Sequence, residues 1–247
     1  MKILIIGATS AIAQAFCKRS LQKEMHDFYL VGRNAEHLKN IVDDLKVRGA
    51  KNVYSALADL NQFLEYDKII QNANTQLKGF DWVLIAHGVL GDQKIAEHDL
   101  TQTLEIINSN YVSQAALINL IANVMEKSGS GTIGVLSSVA GDRGRRTNYI
   151  YGSAKSAITC FLSGLRVRLF QSNVQVLTIK MGFVDTPMTA QFPKSPLWVK
   201  PDQIANALVP LYENKKNGEF YLPFFWRYIM LIIRCIPNFI FNKLNFL

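Results

Sequence analysis

Short apolar runs recur along this chain, each closed by a turn and followed by a longer amphipathic stretch, and that alternation leaves few folds open. The first is Lys2 to Ile6, with later ones at Phe28–Val31, Val53–Leu57, Phe80–Ala86, Thr132–Ser137 and Val174–Lys180. A near-continuous apolar run suits a parallel strand covered on both faces. Gly7-Ala8-Thr9-Ser10 turns the first run into a helix packed through Ala11, Ile12, Ala15, Phe16 and Cys17, and Gly32-Arg33-Asn34 leads into a helix carrying Leu38, Ile41, Val42 and Leu45. A long helical stretch is read from Leu100 to Glu126, another from Tyr151 to Phe170, and a third over Pro201–Leu211; Glu219–Leu222 adds a last strand. No helix is assigned between Asp59 and Phe80. The alternation predicts an α/β fold, a doubly wound parallel sheet in a three-layer α/β/α sandwich.

The chain has 247 residues, 49% of them hydrophobic, enough for one core. Without a linker or a repeat, residues 1–222 are expected to form one catalytic domain, followed by an apolar, basic tail over 223–247. Cys17, Cys160 and Cys235 show no metal-ligand spacing. The first run is too short for a secretory leader, so a cytoplasmic body is expected. A net charge of +8, from 27 basic and 19 acidic residues, suits a phosphorylated ligand, a membrane or nucleic acid. No nucleic-acid-binding signature accompanies the charge, so nucleic acid is set aside as a partner.

Ligands of such sheets bind beyond the carboxyl ends of the strands. Gly7 to Ala13 lies at that edge, and the amides of a helix N-terminus there would receive a pyrophosphate. Ala11 and Ala13 stand where a dinucleotide fingerprint has glycines. Arg33 follows the second strand, where no carboxylate is present to accept ribose hydroxyls. Its donor fork suits a 2'-phosphate and favours NADP. Asp59 ends the third strand, as an adenine contact or a turn-former.

Tyr151 and Lys155 lie four apart, on one face of a helix. The ammonium is expected to lower the phenol's pKa, and such a phenol exchanges a proton with an alcohol or carbonyl. Ser138 ends the fifth strand and is placed to donate to a carbonyl oxygen. Asn110 is the candidate for holding a water beside Lys155, with Asn108 as the alternative. Tyr149 is a competing phenol on another helical face.

These residues resemble the short-chain dehydrogenase/reductases, a Rossmann-fold family, over residues 1 to 222. The resemblance implies Asn110, Ser138, Tyr151 and Lys155 as the catalytic set. It places Gly7, Thr9, Ser10 and Ile12 in the cofactor loop, and Asp59 and Leu60 beside the adenine. Ala86, His87 and Gly88 fall at the fourth strand's end, and Val184 and Thr186 at the nicotinamide. Lys155 would also hold the nicotinamide ribose. His87, and Met181 before Gly182, depart from the pattern. More narrowly, the Gly7–Ala13 turn, the Ser137–Arg146 loop and the Trp226–Arg234 segment resemble the reductase subunits of decaprenylphosphoryl-ribose 2'-epimerases and their relatives. That implies a keto-sugar on a polyprenyl phosphate as substrate and a partner oxidase that makes it; the alternatives are a soluble ketone or alcohol as substrate, or a non-catalytic nucleotide-sensing protein of the same fold. Members of this narrower family favour NADH, so NAD and NADP both stay open.

Arg143, Arg145 and Arg146 lie between Ser138 and Tyr151, and are expected to meet a substrate phosphate or to be solvated, with Arg145 or Arg146 pairing with Asp142 or Asp185 as a further alternative. From Phe220 onward there is no acid, while Arg227, Arg234 and Lys243 flank aromatic and aliphatic residues. Arg234 and Pro237 interrupt that run well short of the roughly 20 residues of a spanning helix. The tail is expected to lie in the inner face of the cytoplasmic membrane, the alternatives being a subunit interface in a homo-oligomer or a helix packed on the body.

Overall fold

The computed structural model describes residues 1–244. Strands β1 (Lys2–Ile6), β2 (Asp27–Gly32), β3 (Asn52–Leu57), β4 (Trp82–Ile85), β5 (Gly131–Ser138), β6 (Val174–Met181) and β7 (Gly218–Leu222) form one sheet in the order β3-β2-β1-β4-β5-β6-β7. Every neighbouring pair runs parallel. The helices are α1 (Ala11–Ser20), α2 (Ala35–Val47), α3 (Tyr66–Leu77), α4 (Gln93–Ala96), α5 (Leu100–Ile107), α6 (Ser113–Ser128), α7 (Tyr149–Leu169), α8 (Pro201–Glu213), α9 (Trp226–Cys235) and α10 (Asn238–Phe241).

Strand β1 shows why its run is continuous. Leu4 and Ile6 enter one core with Ile70 of α3, Ile121 of α6 and Leu162 of α7. Ile3 and Ile5 enter the other, with Phe16 of α1, Leu38 of α2 and Leu208 of α8. The side chains alternate while both faces are covered, so no polar position is tolerated. The strand order reverses between β1 and β4, which opens a crevice at their carboxyl ends.

Two elements differ from the sequence reading. Helix α3 was not assigned, although Tyr66, Ile69, Ile70, Ala73 and Leu77 are its buried stripe. Asn72, Asn74 and Thr75 between them have modest helix propensity, and packing decides the outcome. The stretch read as one helix from Leu100 is broken by a π turn over Asn108–Val112. Such wide turns interrupt the regular ladder. Here the turn leaves Asn110 completely buried, its Nδ2 donating to Ile106 O at 2.9 Å and Val89 O at 2.6 Å.

The tail docks on the body. Trp226, Met230 and Ile233 of α9 are buried with Val139, and Tyr221, Phe225, Ile229 and Phe241 pack around them. None of the helices among the described residues is long and apolar enough to cross a membrane.

Candidate active site

Gly7 ends β1 with φ +84°, a left-handed conformation that favours glycine, and a Cβ there would lie 2.5 Å from the His87 amide nitrogen. The amides of Gly7 and Ala8 both donate to Val31 O at 2.9 Å, tying the turn to β2. Ser10 then starts α1 in extended geometry, leaving the first amides of the helix toward the crevice. Of the two alanines standing for glycines, Ala13 is fully buried in the core and only Ala11 remains at the cleft wall.

The cleft has a volume of about 460 Å³. Gly7, Thr9, Ser10 and Ile12 line it from β1 and α1; Arg33, Asp59 and Leu60 line it from the ends of β2 and β3. Ala86, His87 and Gly88 contribute from β4, and Val184 and Thr186 from the segment after β6. Asn110, Ser138, Tyr151 and Lys155 complete the wall, while Asn108 and Tyr149 are not part of it. Arg33 is exposed, and the Asp59 carboxylate accepts from the Asn61 amide at 3.0 Å, so it also shapes its turn.

Burial sets the electrostatics. The Tyr151 phenol is pushed up to about 12 by desolvation, with a hydrogen bond from Ser138 pulling the other way. This corrects the expectation of a phenol acidified by Lys155: burial dominates in the open cleft. Lys155 itself is pushed down to about 7 by the same desolvation. Its Nζ donates to Leu136 O at 2.9 Å. Ser138 Oγ accepts from Ala140 N at 3.1 Å and reaches Met181 O at 3.5 Å, which fixes the hydroxyl at the end of β5.

His87 is pushed down to about 3 by burial and then by Lys155, so it is neutral, with Nε2 3.0 Å from Ser113 Oγ. Both Nδ2 hydrogens of Asn110 are committed to carbonyls, and its Oδ1 is buried without a partner. A buried acceptor of that kind calls for a donor from water or a ligand. Together with the free α1 amides and the close backbone packing at Gly7, it makes the cleft fit a nicotinamide dinucleotide.

The sequence reading missed Thr189. Its Oγ1 donates to Val184 O at 2.7 Å and accepts from Thr186 N at 3.1 Å, bracing the segment after β6. Thr186-Pro187-Met188-Thr189 is a helix-start pattern that could have shown it. Gln114 was also missed; it donates to His87 O at 2.6 Å.

The loop arginines are a correction. Arg143, Arg145 and Arg146 do not line the cleft. Arg143 Nη1 donates to Ile233 O at 2.5 Å and Ile236 O at 2.6 Å, its Nη2 donates to Asn238 Oδ1 at 3.0 Å, and its guanidinium stacks on Phe241. Arg145 is buried against Met230. Only Arg146 is exposed. The carboxylate of Asp142 goes to Lys180 at 2.7 Å and to the Tyr221 hydroxyl at 2.6 Å instead of to these arginines.

A doubly wound sheet with this cleft at its strand-order reversal defines a Rossmann-type dinucleotide-binding protein. The short chain dehydrogenase family profile matches residues 1–196. An uncharacterized oxidoreductase of Mycobacterium tuberculosis is 31% identical over 242 residues, covering 98% of this chain and 96% of its own length. One from Streptomyces coelicolor is 27% identical, covering 98% and 95%. Among solved structures, an actinorhodin polyketide ketoreductase variant with NADPH aligns at TM-score 0.78 and 17% identity, covering 88% of this chain and 94% of that one. Levodione reductase aligns at 0.79 and 18%, covering 88% and 93%. At such identities these structures establish the fold. The chain belongs to the short-chain dehydrogenase/reductase family, and is therefore an oxidoreductase that uses NAD or NADP.

Proposed function

We propose that the protein reduces a ketone to a secondary alcohol, and that the ketone is a keto-sugar carried on a polyprenyl phosphate. The observation carrying the reductase reading is the Tyr151 phenol, held neutral by burial beside Ser138 in the cleft. A neutral phenol is the form that donates a proton, as reduction requires. When bound, the nicotinamide supplies the hydride. Ser138 Oγ donates to the carbonyl oxygen as negative charge grows there, and Tyr151 Oη delivers the proton to that oxygen. Lys155 would hold the nicotinamide ribose, and its ammonium would stabilise the phenolate left behind. Asn110 Oδ1 accepts from the water that returns a proton through Lys155.

The lipid-linked substrate rests on the resemblance of three segments to the decaprenylphosphoryl-ribose 2'-epimerase reductase subunits, and on the outer surface of the tail. Phe224, Tyr228, Leu231, Ile232 and Phe239 are exposed there, and Arg227 and Arg234 flank Tyr228, Leu231 and Ile232. Aromatic and aliphatic side chains flanked by cations suit the surface of an anionic membrane. The substrate would then be made by a partner oxidase. A soluble ketone is the second reading, favoured by the absence of the loop arginines from the cleft. The test is oxidation of NADH or NADPH with polyprenyl-phosphate keto-sugars and with soluble ketones. Tyr151→Phe is expected to lower turnover at least about a hundredfold while the cofactor still binds. Unchanged turnover would remove the assignment.

A further inference from the structure

Arg145 is a buried charge that forms no ion pair among the described residues. It is 7% exposed; its Nη2 meets the thioether of Met230 at 3.2 Å, and its Nε is buried with no partner. Among the described residues, none of Arg143, Arg145 and Arg146 forms an ion pair with a carboxylate. A thioether is a weak acceptor. A guanidinium buried without an anion opposes folding, and burial holds Arg145 below the usual arginine value although Asp142 acts the other way.

What covers Arg145 is α9, and α9 is latched to the same loop by Arg143. Every hydrogen bond of that latch ends on a neutral acceptor, the carbonyls of Ile233, Arg234 and Ile236 or the side-chain amide of Asn238. A phosphoryl oxygen is a stronger acceptor than a carbonyl or a sulfur. The outer side of α9 exposes Tyr228, Leu231 and Ile232 beside Arg227 and Arg234, a face suited to an anionic lipid surface once the helix leaves the loop.

We propose that Arg145 is a phosphoryl-binding residue and that α9 and α10 form a lid over it, displaced when a phosphate group takes the guanidinium from Met230. The proposal rests on the reading of a phosphate-bearing lipid substrate and adds a gated site that the open cleft does not contain.

The test measures binding rather than turnover, so its outcome is separable from that of the Tyr151→Phe assay. The full chain is titrated with dodecyl phosphate, inorganic phosphate and neutral dodecyl maltoside while amide hydrogen exchange is followed over residues 226–241. Dodecyl phosphate is expected to bind and to speed exchange in α9, and the maltoside to do neither. Tighter binding of the amphiphile than of inorganic phosphate assigns the site to a lipid phosphate; equal binding assigns it to free phosphate. Arg145→Met is expected to weaken dodecyl phosphate binding by about tenfold or more, the size of a lost charge-assisted contact. Its cofactor affinity stays unchanged, and its Tm without phosphate stays level or rises, because an unpaired buried charge has been replaced by an apolar chain. Arg145→Lys retains part of the binding. Undiminished binding in Arg145→Met, no exchange change in α9, or a fall in Tm of more than about 5 °C would overturn the proposal.

Discussion

The Lys155 ammonium lies 5.7 Å from the centre of the Tyr151 ring, and one shared burial displaces the two groups in opposite directions. Lys155 falls from 10.5 to about 7. From there up to its ordinary value, the unfolded chain holds a proton that the folded chain lacks. Stability contributed by this residue therefore rises with pH across that window and is lost as pH falls through about 7. Tyr151 acts oppositely, but only above its ordinary value of 10. The cofactor-free protein should gain Tm between pH 7 and 9, and Lys155→Met should flatten that slope. An equal slope in the variant would remove the lysine as its cause.

The fold was legible because parallel strands covered on both faces are mostly apolar, so β1 and β6 announce themselves within a residue of their ends, although β6 also buries Thr178 and Lys180. Helix α3 was less legible because its exposed face carries Asn72 and Thr75 where a stronger helix former would have sharpened the pattern. The cleft residues were readable as a set because strand ends are marked by turns, and turns bring Gly7, Asp59, Gly88 and Ser138 to one edge. Tyr151's displacement was not readable, since spacing gives proximity to Lys155 but not the water removed from both. Arg143 and Arg145 could not be placed either. Their partners lie some 90 positions away in the tail, and only tertiary packing shows that α9 covers the loop.

The docking of the tail makes a prediction at Gly182. A Cβ at that position would lie 1.8 Å from the Trp226 Nε1, so an alanine there cannot coexist with the seated indole. Overpacking of this kind costs about 1–3 kcal/mol. For a chain of this size, that lowers Tm by roughly 2–4 °C per kcal/mol. Gly182→Ala should lower Tm accordingly and shift tryptophan emission to the red as Trp226 leaves Phe183, whose ring centre is 4.8 Å away. Gly164→Ala is the control, because a Cβ there meets nothing within 4 Å. Unchanged emission in Gly182→Ala would contradict the docked tail.

Arg33 is the candidate for reading a cofactor 2'-phosphate. It is exposed at the cleft rim beyond β2, without an ion-pair partner among the described residues. A guanidinium there gains a charge-assisted contact with a 2'-phosphate and nothing comparable from a ribose hydroxyl. Arg33→Ala should raise KM for NADPH about tenfold and leave KM for NADH and both kcat values within about twofold. Equal effects on the two cofactors would show that Arg33 does not read the phosphate.

The exposed side of the tail gives the last prediction. Membrane affinity from Tyr228, Leu231 and Ile232 grows with the apolar area inserted, and Arg227 and Arg234 add attraction to anionic headgroups. These side chains face away from the buried Trp226, Met230 and Ile233, so replacing them leaves the docking face of α9 intact. The full chain should float with vesicles containing phosphatidylserine and stay behind with neutral ones. Leu231→Ser with Ile232→Ser should abolish flotation while Tm changes by less than about 3 °C, as expected of surface substitutions. Arg227→Gln with Arg234→Gln should shift flotation to lower salt, because each cation near a charged surface contributes about 1 kcal/mol that salt screens. Vesicle binding that ignores both pairs of changes would locate any membrane contact elsewhere on the molecule.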